Sequence, residues 1–211
     1  MAHSSAWDSI ILRTVDIGEA DRFCLLFTRE GGRKAARAKG VRRPWSRMGG
    51  LILPFRRVQL QMVESGNQML ITGATEVAGR QSESGDATQF LHLAQGVELL
   101  LLLTEEDEPL PEVFDLLDQF LRVCTMPGSN PVAAFQLRLL HLLGLLPATD
   151  EDARFQRLSQ LSQAFVLQCT RTQDLQILRQ APADSEEIRR FLGWMFHEQL
   201  SRPLKAMEVQ F

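Results

Sequence analysis

The hydrophobic period of this chain changes once, near Gly79, and that change limits what the chain can fold into. Before it, apolar residues recur at every second position; after it, at every third or fourth. The first spacing places one set of side chains on one face of a strand, and the second draws a stripe along a helix. In the first part, Ile10, Leu12 and Thr14 alternate with Ser9, Ile11 and Arg13. The run Arg22 to Thr28 puts Phe23, Leu25 and Phe27 on one face. Asp16 to Asp21 is a polar connection, and Gly31-Gly32 is a turn. A third strand starts at Arg33, with Arg33, Arg37 and Lys39 on one face and Ala36 and Ala38 on the other. Three cations cannot all face a core, so their face is wet or holds phosphate. Gly40 to Gly50 is a loop by its glycine and proline content. Alternation resumes from Phe55, with Val58, Leu60 and Met62 inward and Arg57, Gln59 and Gln61 outward. Ser65-Gly66-Asn67 turns the chain into a fifth strand carrying Met69, Ile71 and Gly73.

The polar stretch Gln81 to Asp86 reads as a boundary, giving domains 1–80 and 81–211. Asp86 with Gln89 resembles a capping box for a helix whose stripe is Phe90, Leu93, Ala94, Val97 and Leu101. The acidic run Thr104 to Glu108 ends it; acid is unfavourable at a helix C-terminus, and the simplest place for the run is in solvent. Pro111 opens a second helix with Phe114, Leu117, Leu121 and Cys124 on its apolar face. Asn130-Pro131 starts a third, Val132 to Leu143, apolar nearly all round and so central to a bundle. Arg138 lies on it between Phe135 and Leu142. Its charge needs a carboxylate from the protein or a ligand, unless its stem snorkels to water. Phe155, Leu158, Leu161 and Phe165 fit a helix, while Phe165-Val166-Leu167 fits a strand equally. Asp184 with Glu187 opens a last helix carrying Ile188, Phe191, Leu192 and Met195, ended by Pro203.

Charge separates the two parts further. From Gly31 to Val63 there are nine basic residues and no acidic one. They are Arg33, Lys34, Arg37, Lys39, Arg42, Arg43, Arg47, Arg56 and Arg57. The rest carries 14 basic against 26 acidic residues, a balance of −12 in a chain of net charge −3. An unopposed cationic run points to nucleic acid, because cations on phosphates release condensed counterions. Trp45, set among these arginines, is either a stacking platform for an unpaired base or a plug folded back on the barrel. Five short strands with such a loop point to the oligonucleotide-binding (OB) barrel. The fold expectation is α+β: an N-terminal OB barrel followed by an all-α domain.

Several chemistries lack their motifs. The chain has no Gly-x-Gly-x-x-Gly, no phosphate-binding loop and no Gly-x-Ser-x-Gly elbow. His3, His92, His141 and His197 have no metal-ligand spacing. Catalysis is not expected. Cys24, Cys124 and Cys169 are too far apart for a disulfide framework, which favours a reducing compartment. The longest apolar run, Leu99 to Leu103, is too short to span a bilayer, and no signal peptide opens the chain, so a cytoplasmic address without membrane partners is expected.

The residues also carry a resemblance. Ile11-Leu12-Arg13-Thr14, Gly18-Glu19-Ala20-Asp21-Arg22 and Phe27-Thr28-Arg29-Glu30 with Gly32-Arg33 are followed by Ala38-Lys39-Gly40-Val41-Arg42-Arg43, Ser46-Arg47, Gly50 and Leu53-Pro54-Phe55. Weaker matches are Phe135 to Leu140 with Leu143-Gly144-Leu145, and Leu200 to Lys205. In this order they resemble the RecO family of bacterial recombination mediators. The resemblance implies binding of single- and double-stranded DNA and annealing of complementary strands. It implies work with RecR to load recombinase onto DNA coated by single-strand DNA-binding protein (SSB), in a bacterial cytoplasm at the nucleoid. The nucleic-acid contacts expected from the charge run and its loop are the nine cations and Trp45. Many members carry a four-cysteine zinc module; the matching region, about Ala148 to Ala183, keeps only Cys169, so no zinc or other cofactor is expected and the region is a remnant or a replacement helix. The family's pocket for the acidic tail of SSB lies on the helical domain, where Arg138 would clamp the terminal carboxylate beside Phe135 and Leu142. Two other readings stand beside this: an adaptor that binds an acidic partner tail, and an RNA-binding barrel.

Overall fold

The computed structural model describes residues 5–77, 87–126, 128–147, 152–179 and 186–199. Five strands, β1 (Ser5–Ile17), β2 (Asp21–Thr28), β3 (Gly32–Ala38), β4 (Arg57–Ser65) and β5 (Gln68–Glu76), close into a barrel in the order β1-β2-β3-β5-β4. Every pairing is antiparallel except β3 with β5. This is the OB arrangement, and with the helices that follow it the chain is α+β as its period predicts.

The interior holds Ile11, Cys24, Leu26, Ala36, Ala38, Val58, Leu60, Met62 and Ile71. The inward set of β3 and β4 is the one the alternation predicts. On β2, Phe23, Leu25 and Phe27 do share a face, but it is the outer one. Cys24 and Leu26 point inward. Phe27 is nevertheless buried, because it stacks on Phe114 with centroids 6.5 Å apart. On β1 the simple alternation fails. The register shifts between Ile11 and Arg13, and Ser9 to Leu12 are all buried. A bulge turns consecutive side chains out of strict alternation. The connection from β3 to β4 is not a free loop: Val41 and Ile52 enter the barrel core, and Met48 and Leu51 pack against it.

The chain divides into two compact units. One holds the barrel and takes back Thr104–Phe114; the other holds Ser84–Leu103 and Asp115–Phe211. The helices are α1 (Ala87–Leu103), α2 (Pro111–Cys124), α3 (Val132–Leu142), α4 (Ala153–Gln156), α5 (Gln160–Arg171) and α6 (Glu186–Gln199). Among the described residues no helix is long and apolar enough to cross a membrane. In the helical unit α3 packs against α1, α5 and α6 and is central, as its apolar surface predicts. Its cap is Pro131, with Asn130 Oδ1 accepting from the Val132 amide at 3.4 Å.

Two helical expectations need correction. Phe90 is 61% exposed, and the buried face of α1 is Leu93, Gly96, Val97, Leu99 and Leu100. Gly96 sits at the closest approach: a Cβ there would lie 2.3 Å from the Phe120 ring, which itself stacks on Phe135 at 4.2 Å. Leu161 is 77% exposed, although Phe155, Leu158 and Phe165 are buried. The helical path breaks after α4, and Ser159 starts α5 anew by accepting from the Ser162 amide. A fresh N-cap resets the helical phase, so the spacing across it misplaces Leu161. Phe165 to Leu167 are helical, which closes the strand alternative. The buried face of α6 holds Ile188, Phe191, Leu192 and Met195 as predicted. Asp86, Asp184 and Pro203, proposed as cap and stop residues, lie outside the described residues.

Candidate nucleic-acid interface

The cationic connection starts from a clamp of aspartates. Asp21 Oδ1 accepts from the Gly40 amide at 2.7 Å, and its Oδ2 accepts from Arg37 Nε at 2.9 Å and Nη2 at 2.6 Å. Asp16 takes Arg22 at 2.9 Å and Arg42 at 3.2 Å, while Arg42 also donates to the Gly18 carbonyl at 3.0 Å. The Arg42 amide donates to the Ala20 carbonyl. These bonds fix where the loop leaves the barrel. The bond from the Gly40 amide, then the Arg37 guanidinium, hold the Asp21 carboxyl below its ordinary value of 3.8. A depressed carboxylate pKa contributes stability above the unfolded value and loses it as pH falls through the folded value. The stability difference between the protein and an Asp21→Asn variant is therefore expected to be constant above about pH 5 and to shrink below pH 3.8. Thermal melts across that range check it; a difference that stays level in acid would mean the clamp does not depend on charge.

The cations of β3 and β4 are not unopposed. Arg57 binds Asp8 through Nε at 2.7 Å and through Nη2, and its guanidinium lies 5.1 Å from the Phe114 ring centroid. Arg33 lies 4.0 Å from Glu106, and Lys34 binds Asp107 while standing 5.8 Å over the Trp7 ring. The acidic run is exposed to solvent as expected, and it is also docked on β3. Its backbone makes a parallel bridge from Glu106 to Arg33, and the Asp107 amide donates to the Arg33 carbonyl at 3.1 Å. This explains acid at the end of α1: its partners are on the barrel, not on the helix. Five of the nine cations, Arg33, Lys34, Arg37, Arg42 and Arg57, therefore have carboxylate partners.

Four remain. Among the described residues Lys39, Arg43, Arg47 and Arg56 make no salt bridge, although the Lys39 charge reaches the Asp21 carboxylate. Lys39, Arg43 and Arg47 are exposed and Arg56 is half-buried. Trp45, between Arg43 and Arg47 in the sequence, is 76% exposed, with the Arg43 guanidinium 5.9 Å from its ring centroid. That exposure decides between the two readings of Trp45: it does not plug the barrel. The plug is Val41, Met48, Leu51 and Ile52. An exposed indole with a guanidinium beside it can stack on a base while other cations of its loop bind the flanking phosphates.

The sequence reading also missed a groove. Ile17, Phe23, Arg33, Lys34, Arg37 and Asn67 are among the residues around a cleft of about 440 Å³ on the outside of the barrel, where Glu106 and Asp107 sit. Outward alternation of Phe23 on β2 was the signal that could have found it.

In the helical unit the three residues assigned to a partner tail separate. Phe135 is fully buried in the stack with Phe120 and belongs to the core; it cannot meet a partner there. Leu142 is half-buried. Arg138 is half-buried and donates through Nη1 to the Thr170 carbonyl in the last turn of α5, so the internal partner is a carbonyl rather than a carboxylate. Partial burial, then the Arg138 charge, lowers the pKa of exposed His141. In the region from Ala148 to Ala183 the described part forms α4 and α5, with Cys169 buried and its thiol pushed up to about 12 by that burial.

A five-stranded closed barrel in OB order, with a helical part after it, defines an OB-fold protein of the α+β class. Residues 1–78 match the family model described as Recombination protein O N terminal, and residues 85–173 the one described as Recombination protein O C terminal. The chain belongs to the RecO family of DNA repair proteins, as its motifs predict. It is 36% identical over 146 residues to the DNA repair protein RecO of Myxococcus xanthus, covering 68% of this chain and 60% of that protein. It is 35% identical over 139 residues to that of Heliobacterium modesticaldum, covering 66% and 51%. With the protein of the same name from Nocardioides it shares 36% over 159 residues, covering 72% and 64%. The matched part spans less than two thirds of each relative.

Proposed function

We propose that this chain is a non-enzymatic recombination mediator that binds single- and double-stranded DNA and anneals complementary strands. In this reading it works with RecR to load recombinase onto SSB-coated DNA. One observation carries the reading: on an OB barrel, the connection from β3 to β4 holds an exposed Trp45 beside Arg43, and Lys39, Arg43, Arg47 and Arg56 of the same connection make no salt bridge among the described residues. Cations so placed neutralise two strands whose repulsion opposes pairing. Phosphate contacts carry no base information, so binding is expected to be indifferent to sequence.

Titration of a labelled single strand at several salt concentrations tests this. Four phosphate contacts give a slope of roughly −3 in log affinity against log salt. Affinity that ignores salt removes the electrostatic mechanism. Annealing of complementary strands, bare and SSB-coated, tests the mediator role in the same preparation. For the acidic tail of SSB the favoured contact is Arg138, whose guanidinium has a carbonyl but no carboxylate ion pair among the described residues. Equal annealing of SSB-coated strands by an Arg138→Ala variant counts against that contact.

A further inference from the structure

We propose that the chain's own Glu106 and Asp107 occupy the ordinary oligonucleotide face of the barrel, the groove outside β3, and that a single strand enters it by displacing them. This rests on the nucleic-acid reading above, but not on the loop that carries it. OB barrels bind oligonucleotides over the face of strands 2 and 3, between the loop after strand 1 and the loop after strand 4. That position here is the cleft of about 440 Å³, with Phe23 of β2, Arg33, Lys34 and Arg37 of β3, and Asn67 of the β4–β5 turn. Glu64 is a further carboxylate on its rim.

The sheet leaves room for an occupant. β5 pairs with β3 only at Ala36, Arg37 and Ala38. Beyond Ala36, toward Arg33, the neighbour is instead the acidic segment, held by the bridge at Glu106 and by the Asp107 amide on the Arg33 carbonyl. Its carboxylates meet Arg33 and Lys34. Carboxylates held against the cations of a strand present to them what the phosphates of a nucleic acid would present.

Exposure separates this contact from the clamps. The carboxylates of Asp21 and Asp8, which hold Arg37 and Arg57, are 20% and 17% exposed. Those of Glu106 and Asp107 are 64% and 70% exposed, over cations only 18% and 22% exposed. Ion pairs with one partner largely in water contribute little net stability. The cations are fixed by the barrel and the anions are replaceable.

The test compares two charge-matched pairs on the full chain. Glu106→Gln with Asp107→Asn removes the two carboxylates on β3, and asparagine suits the φ of 64° at position 107. Glu105→Gln with Glu108→Gln removes the same charge from the same segment without touching those ion pairs. The first variant is expected to bind single strands roughly 5- to 10-fold tighter at low salt, with a salt slope steeper by about 1.4 for two added phosphate contacts. The second is expected to change much less. Equal gains in the two variants reduce the effect to net charge and overturn the proposal, as does no gain in the first. A second measurement needs no variant: exchange of the Asp107 amide in the unmodified protein is expected to speed up when a single strand saturates it. Unchanged or slower exchange overturns the displacement. If neither the protein nor the Glu106→Gln, Asp107→Asn variant binds a strand, both this proposal and the function reading fall. If the protein binds through the loop and the two variants are alike, only the groove falls.

Discussion

Replacing Lys39, Arg43, Arg47 and Arg56 together with alanine is expected to weaken single-strand binding roughly 100-fold at about 50 mM salt and only roughly 2-fold at about 200 mM. The convergence with salt follows from counterion release: each phosphate left without its cation takes about 0.7 off the slope for a single strand. Four such phosphates therefore flatten the slope by roughly 3. The four side chains make no described ion pair, so the variant is expected to melt close to the parent. Arg42 is left in place because it serves the fold, binding Asp16 and the Gly18 carbonyl. Anisotropy titrations at the two salt concentrations measure both numbers. A variant that binds as tightly as the parent, with the same slope, would clear the loop of the role and direct attention to the groove. Replacing Arg42 instead would mix a binding effect with loosening of the loop's base.

The second large effect concerns Gly32. Its φ is 64°, and a Cβ there would lie 1.8 Å from the Glu108 carbonyl oxygen, an overlap with backbone that cannot swing aside. Gly32→Ala is expected to cost about 3 kcal/mol, of which about 1–2 kcal/mol is the left-handed conformation and the rest the disturbed seating of Glu108. That lowers Tm by roughly 6–12 °C for a chain of this size. Gly66 is the control, since it has φ 61° with nothing within 4 Å of an added Cβ. Gly66→Ala carries the conformational cost alone and is expected to lower Tm by roughly 2–8 °C. Equal shifts from the two substitutions would mean that the seating of Glu108 against Gly32 contributes nothing to stability.

Sequence and structure agree where the cause is local. Alternation at Val58, Leu60 and Met62 is read correctly because a strand turns each residue over from the last, whatever lies around it. The buried set Ile188, Phe191, Leu192 and Met195 is legible for the same reason in a helix. The readings that needed correction depend on a break in the local repeat. Ser9 to Leu12 crosses a bulge, and Leu161 follows a helix restart. Neither break has a period of its own to betray it.

By itself the sequence determined five strands followed by helices, the turns between the strands, and the family, because period, glycine and proline placement and motif order are properties of neighbours along the chain. Only the tertiary structure decided which cations remain open to a ligand. Lys34 and Asp107 are 73 positions apart, and Arg57 and Asp8 are 49 apart. Coulomb attraction acts on distance in space, so a run without acid in the sequence is half neutralised by carboxylates that folding brings to it.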